Sequence, residues 1–323
     1  MEKHRETRSV SHWKLFSING VILFLLALVP LLITRTDVIT WFTFTLLYIT
    51  LSQSWNIIGG YTGQQNLGHA AFFGLGALSA RYLWLYGLPL PLALVAGGLA
   101  AMIFALIIGF PAFRLRGVYF VIGTLVLAEI LRMVFDTILP RAQVLPTKIL
   151  GTYSLTPRYY LSLLIAVLAV ATVYWLSRSR LGLGMMSVRE DEDAAEASGV
   201  NTQKYKLLAF TMSTFMAGLA GGVYAYYAAA AQPGYLFSPI WTFDAVIIVF
   251  VGGVGTIVGP IIGSVFFVLL KQLLSLYLPG GMHVLVFGVL FIIVVLYLPE
   301  GLIGLIRKLR RGLSSRGMSQ IAS

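Results

Sequence analysis

The runs VILFLLALVPLLI at residues 21–33 and VLVFGVLFIIVVLYL at residues 284–298 contain no charged side chain. Each approaches the ~20 apolar residues that cross a bilayer core, and runs of this kind recur along the chain. A single water-soluble core cannot absorb them. Of the 323 residues, 58% are hydrophobic and 11% charged, too little charge to wet the surface of a soluble domain this long. The ~10-residue alternating segments of a membrane barrel are absent. The fold class is therefore an all-α integral membrane protein, a polytopic helical bundle with broken helices.

Spans are expected at 15–33, 38–58, 69–86, 89–110, 117–139, 159–177, 206–231, 240–252, 256–276 and 282–298, about ten in all at one span per apolar run. The stretch 241–278 is too long for one crossing and contains GGVGTIVGP, so it reads as two short or broken helices. The net charge of +11 is spread among the N-terminal tail, Arg114 and Arg116, the segment from Arg178 to Lys206, and the tail from Arg307 to Arg316. That pattern follows the positive-inside rule and excludes a nucleic-acid surface; the partner it implies is membrane lipid. An even number of crossings between clusters puts both termini in the cytoplasm. The division is a tail at 1–14, a transmembrane domain at 15–306 with a cytoplasmic loop at 178–206, and a basic tail at 307–323. The basic start and apolar run resemble a signal peptide, but no small-x-small cleavage site follows, so the run is expected to stay as an anchor.

Glycine and polar residues interrupt this oily background at GGYTGQQNLGHAAFFGLGA, residues 59–77. Breaks are expected at Gly59-Gly60 and at Gly252-Gly259-Pro260, where backbone groups freed from a helix can face a water-filled path. Gln64, Gln65, Asn66 and His69, with Gly253 and Gly255, are the candidate pathway residues. Neutral amides suit such a place because they avoid the cost of a buried charge. They equally suit the plain task of satisfying the broken backbone. Both breaks fall on one side in this topology, whereas an inverted repeat would set them on opposite sides.

Glu129, Arg132 and Asp136 recur at i, i+3 and i+7 on one helix face, each within reach of the next. The expectation is an ion-paired seam that fixes helix packing, or a group that serves gating or a substrate's amino group. Arg81 and Lys271 are expected to snorkel to an interface, and Asp244 to cap a helix start. His4, His12, His69 and His283 stand in no H-E-x-x-H or Ser/His/Asp pattern, so neither catalysis nor a metal site is expected.

In the loop, Ser187-Val188-Arg189-Glu190 has the Ser-x-x-Glu spacing of a capping box. Glu190, Asp191, Glu192 and Asp193 suit the positive end of a helix dipole, and Gly199 suits its stop. One short helix over 188–198 is expected, lying along the membrane surface.

Asp193-Ala194-Ala195-x-x-x-Gly199 resembles the EAA-x-x-x-G motif of ABC-importer permeases. Four further blocks and the polar stretch occur in the order of one branch of that family: GYTGQQNLGHAAFFGLGA, RLRGVYFVIGTLVLAEI, YKLLAFTMSTFMAGLAGGVYA, GGVGTIVGPIIGS and PEGLIGLIRKL. Over about residues 20–310 the chain resembles the LivM-type permease subunit of branched-chain amino acid importers, which related permeases for urea or short amides also resemble. The resemblance implies a bacterial inner-membrane protein, a second LivH-type permease, two cytoplasmic ATPase subunits holding ATP-Mg, and an extracytoplasmic solute-binding protein. It also assigns the loop helix, with Arg189, Glu190, Asp193, Ala194, Ala195 and Gly199, to coupling with the ATPases. The chain contains no Gly-Lys dipeptide and so no phosphate loop of its own, which makes it a transport subunit rather than an enzyme, with no cofactor. A proton-driven transporter is the other mechanism that intramembrane carboxylates allow.

Overall fold

The computed structural model describes residues 20–139, 143–151, 153–277, 282–297 and 301–304. The expected tails at 1–14 and 307–323 lie outside the described residues. The apolar runs fold as helices: α1 (Gly20–Leu32), α2 (Thr36–Trp55), α3 (His69–Leu85), α4 (Leu90–Ala112) and α5 (Val118–Ile138). A two-residue strand β1 (Gln143–Val144) and a turn α6 (Thr147–Leu150) lead into α7 (Leu155–Arg178). Next come α8 (Arg180–Glu190), α9 (Glu192–Ala197), α10 (Thr202–Tyr227) and β2 (Ala230–Ala231). The chain then continues through α11 (Pro233–Leu236), α12 (Ile240–Gly252), α13 (Val258–Tyr277) and α14 (Met282–Tyr297). The protein is an all-α, multi-pass membrane protein. Among the described residues six segments are long and apolar enough to span: α4, α5, α7, α10, Pro233–Gly252 and α13.

Helix α10 runs through the centre, against α3 and α4, and 72% of its most apolar stretch is buried. Glycine permits that approach. A Cβ on Gly97 would stand 2.6 Å from the Gly76 carbonyl oxygen, and those on Gly76 and Gly221 would overlap the backbones of Gly218 and Phe73. Without a hydrophobic drive between helices in lipid, such close backbone packing is a main source of cohesion. Aromatic rings fill the remaining space, with Phe73 stacked on Trp241 at 4.5 Å and Phe72 edge-on to Phe210 at 5.1 Å.

The bundle has two distinct ends. At one, β1 pairs antiparallel with β2, Gln143 opposite Ala231. Arg81 sits there too, but it does not snorkel. It is 1% exposed and donates to the carbonyls of Ala225 (2.6 Å), Ala228 (2.8 Å) and Ala229 (3.1 Å), the acceptors freed where α10 stops. A buried guanidinium is tolerable because its fork matches several fixed carbonyls at once. At the other end lie α8, α9, the α4–α5 turn and both helix breaks.

The loop 178–206 departs from its expected form. Ser187 is inside α8 and donates back to the Gly184 carbonyl, so it caps nothing. Ser179 caps α8 instead, accepting from Gly182 N, and Asp191 caps α9, accepting from Ala194 N at 2.9 Å. Asp191 is extended (φ −159°, ψ 112°), so the single helix expected over 188–198 is two helices with a corner between them. Gly199 does end the second one. Its φ is +83°, Val200 N reaches Ala195 O, and Gly199 N reaches Glu196 O, the paired bonds of a Schellman stop.

Candidate functional site

The two breaks meet. Helix α2 does not end at Trp55 but widens into a π-helical turn, Asn56–Tyr61, while the chain between α12 and α13 unwinds from Gly253 to Ile257. Asn56 joins them, its Nδ2 donating to Thr256 O and its Oδ1 accepting from Gly255 N, both at 2.9 Å. Gln53 Nε2 adds a bond to Ile257 O at 2.6 Å. Thr256 Oγ1 caps α13 by accepting from Gly259 N, and donates to Gly253 O. Backbone polar groups that lipid could not solvate are thus satisfied by buried Asn56 and Gln53 and half-buried Thr256. Gly253 (φ +132°) and Gly255 (φ +72°) adopt conformations that disfavour other residues, and a Cβ on Gly255 would come within 3.0 Å of Gly60 O. The breaks share one end and touch, which matches the one-sided placement expected from the topology.

Arg189, at the C-terminal end of α8, reaches into this junction. Its Nη1 donates to Gly60 O at 2.6 Å, and a Cβ on Gly255 would overlap the same guanidinium. One side chain of the loop therefore rests against both breaks. Immediately beyond it, α9 is tied down by ion pairs. Lys206, 2% exposed, pairs with Glu192, while Arg116 from the α4–α5 turn reaches Asp193 (3.0 Å) and Glu196 (3.9 Å). Ala195 faces inward; Glu190, Asp193, Ala194 and Ala197 face outward. A cleft of about 400 Å³ opens beside α9, lined by Phe110, Arg114, Arg116, Glu192, Glu196 and Lys206 among others.

The polar stretch lies in the same region with divided roles. Asn66 is fully buried: its Oδ1 accepts from Gly68 N and its carbonyl from the Trp55 indole, both at 2.8 Å. His69 is buried with Nε2 2.7 Å from Ser54 Oγ. Gln64 is half-buried and Gln65 exposed. Asn56 and Gln53, which make the junction, were not among the sequence candidates. Their signal is the run Ser52-Gln53-Ser54-Trp55-Asn56, polar residues inside an apolar span.

Charged residues within the spans also sort differently from the expectation. Asp244 is inside α12 and caps nothing; its Oδ2 accepts from Lys271 Nζ (2.9 Å) and from the Tyr48 hydroxyl (2.7 Å). Lys271 therefore pairs across α12 and α13 rather than snorkelling. Arg132 pairs with Glu129 through Nε and Nη2, whereas Asp136 lies beside Gly234 of α11 and forms no ion pair among the described residues. No cluster of three potential metal ligands occurs among the described residues.

Residues 37–295 match the family described as the permease component of branched-chain amino acid transport systems. The chain is 29% identical over 313 residues to the high-affinity branched-chain amino acid transport system permease protein LivM of Escherichia coli, covering 84% of this chain and 71% of that one. It is 29% identical to the protein of the same description from Salmonella typhimurium, covering 90% and 77%. The LivH permease of Escherichia coli is 28% identical over 137 residues, 42% of this chain and 43% of that one. No solved structure matches.

Proposed function

Because this chain belongs to the branched-chain amino acid transport permease family, we propose that it is the transmembrane subunit of an ATP-driven importer for leucine, isoleucine and valine. It would stand beside a second permease of the LivH type, over two cytoplasmic ATPases that hold ATP-Mg, and receive solute from an extracytoplasmic binding protein. The chain crosses ten times in this reading, α1, α2, α3 and α14 joining the six longer apolar segments, with both termini and the α8–α9 end in the cytoplasm. The observation that carries the mechanism is the bond from Arg189 to Gly60. The outward face of α9 offers Asp193, Ala194 and Ala197 to an ATPase, and Arg189 stands between α9 and the two touching breaks. Closure of the ATPases moves α9, and the break junction follows. Gln64, Gln65, Asn66, His69, Gly253 and Gly255 are the pathway residues at that inner end.

The test is reconstitution of this chain with the partner permease, ATPases and binding protein in vesicles. Leucine uptake should require ATP, survive collapse of the proton gradient, and be displaced by valine but not by urea or short amides. Uptake that follows the proton gradient without ATP would overturn the reading; displacement by urea or amides would overturn the substrate.

A further inference from the structure

Helix α5 is the least enclosed of the six long apolar segments: 17% of its apolar stretch is buried, against 72% for α10. Only Phe120, Thr124 and Ala128 are fully covered. Its exposed surface divides into two strips. One carries Tyr119, Val126, Ile130 and Met133, apolar side chains that suit lipid. The other carries half-exposed Glu129 and Arg132 and exposed Asp136, with half-buried Leu125 one turn before Glu129.

The charged strip is in the wrong solvent if it faces lipid. At 1.5 Å per residue Glu129 lies ~16 Å from the start of a helix ~31 Å long, and Arg132 ~21 Å, close to the middle of the bilayer. The side chains of Glu129 and Arg132 are 32% and 37% exposed, so the described residues leave them partly uncovered. Half-exposed ionised groups at that depth persist where they meet water or a polar partner, not hydrocarbon. Asp136, exposed and a turn nearer the strand end, extends the strip toward the outer mouth beside α11.

The order of charges selects a ligand. Arg132 uses Nε and Nη2 on Glu129, which leaves Nη1 out of that pair, and Asp136 follows one turn on at i+4. A lone anion would meet two carboxylates, and a lone cation would meet the guanidinium. A molecule carrying an ammonium and a carboxylate on one carbon is matched at both ends. We propose that this strip of α5 lines the translocation route and holds the charged ends of a zwitterionic amino acid, Arg132 taking the carboxylate and Asp136 the ammonium. The assignment rests on the importer reading above and adds to it where the solute's polar end is read.

The chain has no cysteine, so a single introduced thiol is the only one on this subunit, and labelling is read on its separated band. In vesicles whose unmutated complex takes up leucine, Leu125→Cys should react with a membrane-impermeant cationic thiosulfonate and be protected by leucine, while Ile130→Cys should not react. An inert or unprotected Leu125→Cys overturns the proposal. Asp136→Asn should raise the KM for leucine about 10-fold, the loss of one charged hydrogen bond, and an unchanged KM overturns it. The exchange Glu129→Arg with Arg132→Glu keeps the ion pair but reverses the field, so it should leave uptake impaired; full recovery would mean the pair only holds helices together. Absence of leucine uptake by the unmutated complex is a failure of the importer reading instead, and is read first.

Discussion

Removing the Arg189 guanidinium should disconnect the loop from the pathway while leaving the docking face in place. Arg189→Ala deletes a 2.6 Å charged hydrogen bond to Gly60 O, worth about 1.5–3 kcal/mol, equivalent to about 10- to 100-fold in the equilibrium between two pathway states. The outward residues Asp193, Ala194 and Ala197 are unchanged, so ATPase subunits should still assemble and hydrolyse ATP. In reconstituted vesicles the expected result is leucine transported per ATP reduced about 10-fold or more, with hydrolysis retained. Gly255→Ala attacks the same contact from the opposite side. Its φ of +72° already costs a side chain about 1–2 kcal/mol, and the new Cβ would displace the guanidinium from Gly60. If both changes act through one contact, the double variant transports no worse per ATP than the poorer single one. Normal transport per ATP in Arg189→Ala would refute the strut, as would additive losses in the double variant.

Three other substitutions probe separate links. Lys271→Met should lower thermal stability by about 3 kcal/mol or more by leaving Asp244 uncompensated, and Asp244→Asn with Lys271→Met should recover much of it; denaturation in detergent measures both. Gly221→Val forces a side chain into the Phe73 backbone and should abolish folded protein on size-exclusion chromatography, whereas Gly288→Val, with no atom near its would-be Cβ, should not. Asn66→Ala frees the Gly68 amide and should cost about 1–3 kcal/mol of stability, while Gln65→Ala, at an exposed position, should change stability little; uptake by the second tests whether Gln65 serves solute.

What could be read from the chain depends on how far apart the interacting groups lie. Membrane class, the positions of the apolar helices and the division of 240–276 into two pieces follow from runs of local composition, and the structure has them. The Gly199 stop was also legible, since a Schellman motif closes within a few residues. The capping box at Ser187 failed for a local reason: the pattern marks a helix start only if the preceding residues are not already helical, and α8 begins at Arg180, behind a serine with no Glu three residues on. Pairings across the bundle left no such trace. Asp244 and Lys271 are 27 positions apart, and Asn56 meets Gly255 after 199. Sequence alone therefore places Arg81 and Lys271 at interfaces, the cheapest site for an unpaired group, and Asp244 at a helix start, whereas each has a partner on another helix. The seam on α5 is the informative exception. Its near pair, Glu129 with Arg132, was readable at i, i+3, but whether it faces protein or solute depends on burial. The described residues leave that pair half-exposed on the least covered helix, so a purely packing role requires a neighbour beyond them, such as the second permease, and a transport role requires the water and solute that a permease admits.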